Sequence, residues 1–156
     1  LKTILLQGAA HLTVVDRVAS RAAFARQCGA DLCLTDVNHL QVDAYDAVVD
    51  ACGALEILPR TLDWVRYGGT LLWFGVPPSG GEIRFEPFKV FRKGLSIHSS
   101  FTSVRNSHQA VDLLRSRRIS VEDLVSHRLP LEEFERGIER IENEEGTRKV
   151  LILPND

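Results

Sequence analysis

A chain of 156 residues can hold one ordinary domain with a real hydrophobic core, and 44% apolar with 26% charged residues excludes a disordered chain. A net charge of −2, with the basic residues scattered, leaves no global field to draw it to nucleic acid or to an anionic membrane. No apolar run approaches a membrane span, no secretory signal is present, and Cys28, Cys33 and Cys52 lack C-x-x-C spacing, so reduced thiols in a cytoplasm are expected.

Short β-branched runs alternate with longer amphipathic stretches. Leu1–Gln7 reads as the last turns of a helix stopped by Gly8; a rival reading makes Thr3–Leu6 a strand with a turn at Gly8–Ala10. Leu12–Asp16 is a strand apolar on both faces, as a buried parallel strand should be. Ser20–Cys28 has helical spacing and stops at Gly29. Leu32–Leu34 is a short strand, Asp36–Asp43 a polar connection, and Ala47–Asp50 the next strand, ending at Cys52–Gly53. Leu55–Val65 is helical in pattern, but proline is tolerated only in a first turn, so Pro59 makes this helix start near Leu58 or bend there. Gly68–Gly69 turns the chain into the strand Thr70–Phe74, and Pro77–Gly81 is a loop. Phe88–Phe91 suggests a short helix, Leu95–Ile97 a strand, and Ser107–Arg115 a helix whose end carries Arg115, Arg117 and Arg118, where cations are expected. From about Ser120 the character shifts. Leu124–Arg128 is a strand followed by Pro130, Leu131 starts a charged helix to about Asn143, Gly146 ends it, and Lys149–Leu153 is a last strand.

This alternation defines an α/β chain with a parallel sheet covered on both faces. The right-handed crossover rule then makes it a Rossmann-like doubly wound sheet. The expected organisation is a nucleotide-binding domain over residues 1–120, incomplete at its N-terminus, and a C-terminal segment over 121–156.

In open α/β sheets ligands bind at the carboxyl ends of the strands. Asp16, the Ala51–Gly53 turn, the Gly75–Pro77 turn and Ser99–Ser100 sit there. An acid at the tip of the second strand can accept hydrogen bonds from both vicinal hydroxyls of an adenosine ribose and repel a 2′-phosphate, which favours NAD over NADP. Arg17 counts the other way, because an arginine can meet that phosphate. Asp16 can also merely cap the helix that begins near Val18. In the dinucleotide fingerprint the acid lies about 20 residues beyond a glycine-rich turn. Counting back from Asp16 runs off the chain, and no G-x-G-x-x-G occurs. The sheet is therefore expected to be truncated before or at its first strand and glycine-rich loop, without the helix N-terminus that cradles a pyrophosphate. Histidines 11, 39, 98, 108 and 127 are dispersed without metal-ligand spacing. Ser99 and Ser100 are in no G-x-S-x-G elbow. Glu132, Glu133, Glu135 and Glu139 suit a solvated helix face.

Five segments in order carry a family resemblance: His11–Arg17, Ala25–Asp31, Tyr45–Gly53, Gly68–Pro78, and a tail from His127–Glu133 to Lys149–Pro154. Together they resemble the C-terminal, coenzyme-binding portion of zinc-type medium-chain dehydrogenases, the sorbitol, threonine and alcohol dehydrogenase group. The resemblance implies that Asp16 binds the adenosine ribose, with Arg17 beside it, and that Arg21 lies by the adenine. It implies that Cys52 and Gly53 line the cofactor groove, that Phe74, Gly75, Val76, Ser99, Ser100 and Phe101 flank the nicotinamide half, and that Arg148 reaches the pyrophosphate. It further implies a homo-oligomeric parent that oxidises a small alcohol or polyol with NAD. The parent's zinc would be bound outside this chain, so the chain alone would be inactive. The tail would return to the catalytic domain, and the strand at Leu95–Phe101 would lie at a dimer contact. Two other readings stay open: a fragment of the zinc-free, NADPH-dependent quinone or enoyl reductase branch, and a non-catalytic interaction module that assembles through exposed strand edges.

Overall fold

The computed structural model describes residues 1–101 and 105–154. The chain forms two compact units, one of Leu1–Val37 with Asn106–Asp156 and one of Asn38–Arg105.

The first unit opens with helix α1 (Lys2–Leu6), and Gly8 follows at φ +88°. The helical reading of the first residues is the one realised. Strand β1 (Thr13–Val15) pairs in parallel with β2 (Leu32–Leu34), and helix α2 (Ala19–Gln27) makes the crossover. Ala22 and Ala25 give α2 its buried face, and Gly29 at φ +102° ends it in the left-handed conformation that favours glycine.

In the second unit β3 (Tyr45–Asp50) is followed by α3 (Thr61–Trp64), β4 (Val65–Trp73), helix α4 (Pro87–Lys93) and β5 (Ser96–Ser99). The strands pair in parallel in the order β3-β4-β5. Leu62, Val65 and Leu71 are its fully buried centre, with Val48, Val90, Leu95 and Ile97 packed against them. Leu62 is 1% exposed, so Leu62→Ala is expected to cost about 3 kcal/mol, from lost transfer energy plus the cavity left behind. A urea titration followed by tryptophan fluorescence checks this, since both tryptophans, Trp64 and Trp73, lie in this unit.

The chain then returns to the first unit with α5 (Ser107–Arg115), β6 (Val125–Pro130), α6 (Phe134–Asn143) and β7 (Lys149–Leu153). Strands β6 and β7 are parallel, joined across α6. Gly137 lets α6 lie close on them: a Cβ there would meet Val150 Cγ1 at 3.3 Å and Leu129 Cδ1 at 3.4 Å. Leu131, Phe134, Ile138 and Ile141, spaced like one helix face, are exposed.

Every strand pairing among the described residues is parallel, as the alternation requires, but the hydrogen-bonded ladders form three sheets rather than one. Several element ends shift by one to three residues, Pro130 closing β6 rather than following it, and two local expectations differ more deeply. The helix read over Leu55–Val65 shrinks to a 3₁₀ turn at Leu58–Arg60 and the four-residue α3. Pro59 sits in the first positions, where its missing N–H costs nothing, and Val65 already belongs to β4. The Gly68–Gly69 pair does not precede a strand but lies inside β4. Tyr45 pairs with Val65 and Ala47 with Thr70, so the residues between Val65 and Thr70 bulge. Gly68 at φ +69° absorbs the bend, and at Gly69 a Cβ would sit 2.9 Å from the Asp46 carbonyl oxygen.

Candidate functional site

In the first unit Asp16 stands directly after β1, its backbone N–H donating to the Leu34 carbonyl at 3.1 Å. Its Oδ1 accepts the Val18 N–H at 2.9 Å and so fastens the entry to α2. Its Oδ2 has no protein partner among the described residues. That bond closes a turn ahead of the helix, whose N-cap is Val18 with no side-chain cap bond, so Asp16 does not cap α2 as the capping reading expects, and its other oxygen remains an acceptor at a strand tip. Arg17 and Arg21 are exposed. Arg21 and Val18 line a shallow cavity of about 230 Å³ with residues 141–147. Arg148 stacks on the Phe24 ring at 4.2 Å, donates through Nη1 to the Gly146 carbonyl at 3.3 Å, and donates its backbone N–H to Ser126 Oγ at 3.1 Å.

In the second unit the register places Asp50, Trp73 and Ser99 side by side at the carboxyl ends of β3, β4 and β5. The residues that follow each of them form one rim. This gathers eight of the residues singled out in the sequence: Cys52 and Gly53; Phe74, Gly75 and Val76; Ser99, Ser100 and Phe101. Phe74, Val76 and Phe101 are 56%, 87% and 85% exposed. The Ser100 N–H donates to the Trp73 carbonyl at 3.3 Å.

The rim is built on a residue that sequence reasoning treated only as a strand end. Asp50 is 4% exposed. Its Oδ2 accepts the Gly53 N–H at 2.9 Å, and its Oδ1 accepts the Cys52 thiol at 3.0 Å and the Cys52 N–H at 3.3 Å. Its carbonyl oxygen takes the N–H groups of Phe74 and Gly75, both at 2.9 Å. No cation pairs with it among the described residues, so these donors offset the burial of its carboxyl group. Partial desolvation of the sulfur, and then the bond to Asp50, push the Cys52 thiol above its ordinary pKa. An acid closing an otherwise apolar strand was the available signal for Asp50. A second buried charge, Lys93, was also missed. It is 3% exposed, donates to the carbonyls of Leu62 at 2.6 Å and Val65 at 2.8 Å, and pairs with Asp43.

No three His, Cys, Asp or Glu side chains among the described residues come together as a metal would require. The described residues therefore do not fit a zinc site.

The zinc-binding dehydrogenase family matches residues 3–116, and the chain belongs to it. D-altritol 5-dehydrogenase of Agrobacterium fabrum (strain C58) is 34% identical over 146 residues, which are 92% of this chain and 44% of that protein. D-arabinitol dehydrogenase 1 of Uromyces fabae is 30% identical over 71% of this chain and 32% of its own length. A crystal structure of a zinc-binding dehydrogenase from Sinorhizobium meliloti 1021 bound to NADP superposes with a TM-score of 0.86 at 25% identity, covering 98% of this chain and 48% of that one. The chain thus spans less than half the length of these relatives. Its α/β architecture with parallel strands is the Rossmann-like one of their coenzyme-binding domains.

No helix among the described residues is long and apolar enough to cross a membrane.

Proposed function

We propose that the chain is the coenzyme-binding part of a zinc-dependent alcohol or polyol dehydrogenase, and that its coenzyme is NAD. The observation that carries this reading is Asp16, an acid at the tip of β1 with one carboxylate oxygen held by the α2 entry and the other left as an acceptor. Two vicinal ribose hydroxyls are suitable donors to such a group, and a 2′-phosphate is not. Arg21 would lie by the adenine, with Arg17 beside the ribose, and Arg148 would meet the pyrophosphate by giving up its stacking on Phe24. In the second unit Cys52, Gly53, Phe74, Gly75, Val76, Ser99, Ser100 and Phe101 would supply a largely apolar wall to the nicotinamide half and keep water from it. When bound, the coenzyme supplies the hydride acceptor.

The polyol substrates named for the two relatives support a small polyhydroxy alcohol as the parent's substrate. By the resemblance, the zinc ligands and the substrate pocket belong to the portion of the relatives that this chain does not match, so the chain by itself would transfer no hydride. Residues 121–156 would pack on that portion, which the exposed stripe of Leu131, Phe134, Ile138 and Ile141 supports. The parent would be a cytoplasmic homo-oligomer, with residues 1–120 as its nucleotide-binding domain.

Calorimetric titration with NADH and, separately, NADPH tests the reading. The expected result is weak binding or none, with any binding favouring NADH. A preference for NADPH would move the chain to the zinc-free reductase branch, with Arg17 meeting the phosphate. Binding of neither at millimolar concentration would fit a sequence without a glycine-rich phosphate loop and leave the reading resting on the family resemblance.

A further inference from the structure

We propose that Asp50 is a positioning residue that sets the shape of the strand rim on which a coenzyme lies. The proposal rests on the coenzyme-binding reading above and deepens it. Three contacts carry it. First, the carboxylate binds both backbone N–H groups of the Cys52–Gly53 turn, at 3.3 and 2.9 Å, so the turn at the end of β3 follows wherever the carboxylate is held. Second, the Asp50 carbonyl binds the N–H groups of Phe74 and Gly75, so one residue anchors the ends of both β3 and β4. Third, Gly75 leaves no slack around it: a Cβ on Gly75 would stand 2.6 Å from Asp50 Oδ2 and 2.1 Å from Gly53 N. Phe74 and Val76, the exposed apolar residues of the rim, flank that glycine.

Local turn chemistry alone does not require this arrangement. An exposed Asx turn keeps its acid in water, whereas here the acid is buried and its partners are the backbone of the rim. The Cys52 thiol adds a third donor, which directs its proton into the protein and leaves the sulfur of an exposed residue poorly nucleophilic.

The test compares the wild-type chain with Asp50→Asn, which keeps size and shape but turns one acceptor into a donor facing Cys52 or Gly53. Peptide-mapped alkylation reads the Cys52 thiol, amide hydrogen exchange reads Gly53, and NADH at millimolar concentration reads the coenzyme. For Asp50→Asn we expect a cooperative melt, Cys52 alkylated at least tenfold faster, Gly53 protection reduced at least tenfold, and the NADH-induced amide shifts of Gly53 and Gly75 lost. Unchanged alkylation and exchange in Asp50→Asn would overturn the proposal whatever NADH does. So would NADH shifts that survive in a variant whose turn has loosened. If Asp50→Asn frees the thiol and the Gly53 amide while NADH moves no rim amide even in the wild type, the coenzyme role of the rim fails and the anchoring by Asp50 stands. Should Asp50→Asn not fold, the wild type still decides: a Gly53 amide exchanging as fast as that of Gly80, in the open loop, would overturn the proposal.

Discussion

Gly75→Ala is expected to destabilise the second unit by about 3 kcal/mol or to prevent its folding. The reason is contact rather than backbone conformation. The added methyl would lie 2.1 Å from Gly53 N and 2.6 Å from Cys52 C, both backbone atoms, where ordinary contact needs about 3.5 Å. Gly53 faces it with the converse restraint: its own Cβ would stand 2.5 Å from the Val76 carbonyl, and its φ is +69°. Neither side has a flexible side chain that could swing away, so the ends of β3 and β4 would have to part. Gly80→Ala is the control. Gly80 has a positive φ of +76° but nothing within 4 Å of an added methyl group, so only conformational strain of about 1 kcal/mol is expected. Urea midpoints read by Trp64 and Trp73 fluorescence compare the two, and equal midpoints would show that the β3 and β4 ends are not pressed together.

Lys93→Ala is the second large effect, at about 3 kcal/mol. The ammonium is buried at the end of α4, with the carbonyl oxygens of Leu62 and Val65 and the Asp43 carboxylate around it. These carbonyls lie where α3 passes into β4, so Lys93 ties α4 to the start of the central strand. Removing it leaves buried acceptors without donors and a gap where the stem packed. Asp43 is 40% exposed and can return to water, which limits its share of the loss. Lys93→Met retains much of the stem volume and should recover part of the loss but not the hydrogen bonds. A urea titration in which Lys93→Met matches the wild type would show that the ammonium contributes nothing.

Much of the fold was legible because it depends on local pattern. Leu32–Leu34, Ser107–Arg115 and Lys149–Leu153 fall where alternation and helical spacing put them, and Gly8 and Gly29 end their helices. The misread stretch is Leu55–Gly69. There Leu62 and Val65 share one core but belong to different elements, so apolar spacing carries across a helix-to-strand junction without marking it. Of the candidate site, Cys52, Gly53, Gly75, Val76, Ser99 and Ser100 were expected at strand ends because each follows an apolar strand, whereas Phe74 and Phe101 entered by the family resemblance alone. Asp50 was passed over because an acid at a strand end looks solvated until its burial is seen.

Composition, alternation and turn residues alone determined an α/β chain of parallel strands, and the order of motifs pointed to its family. Asp16 was recognisable as an acid at a strand tip because strand and acid are neighbours in the chain. Only the tertiary structure decided that Asp50 faces inward onto Cys52 and Gly53, that Gly75 meets Gly53 backbone to backbone, and that Lys93 reaches carbonyls some thirty residues earlier. Those facts depend on which strand lies beside which and in what register, and that is set by burial of residues distant in sequence, which no local window contains.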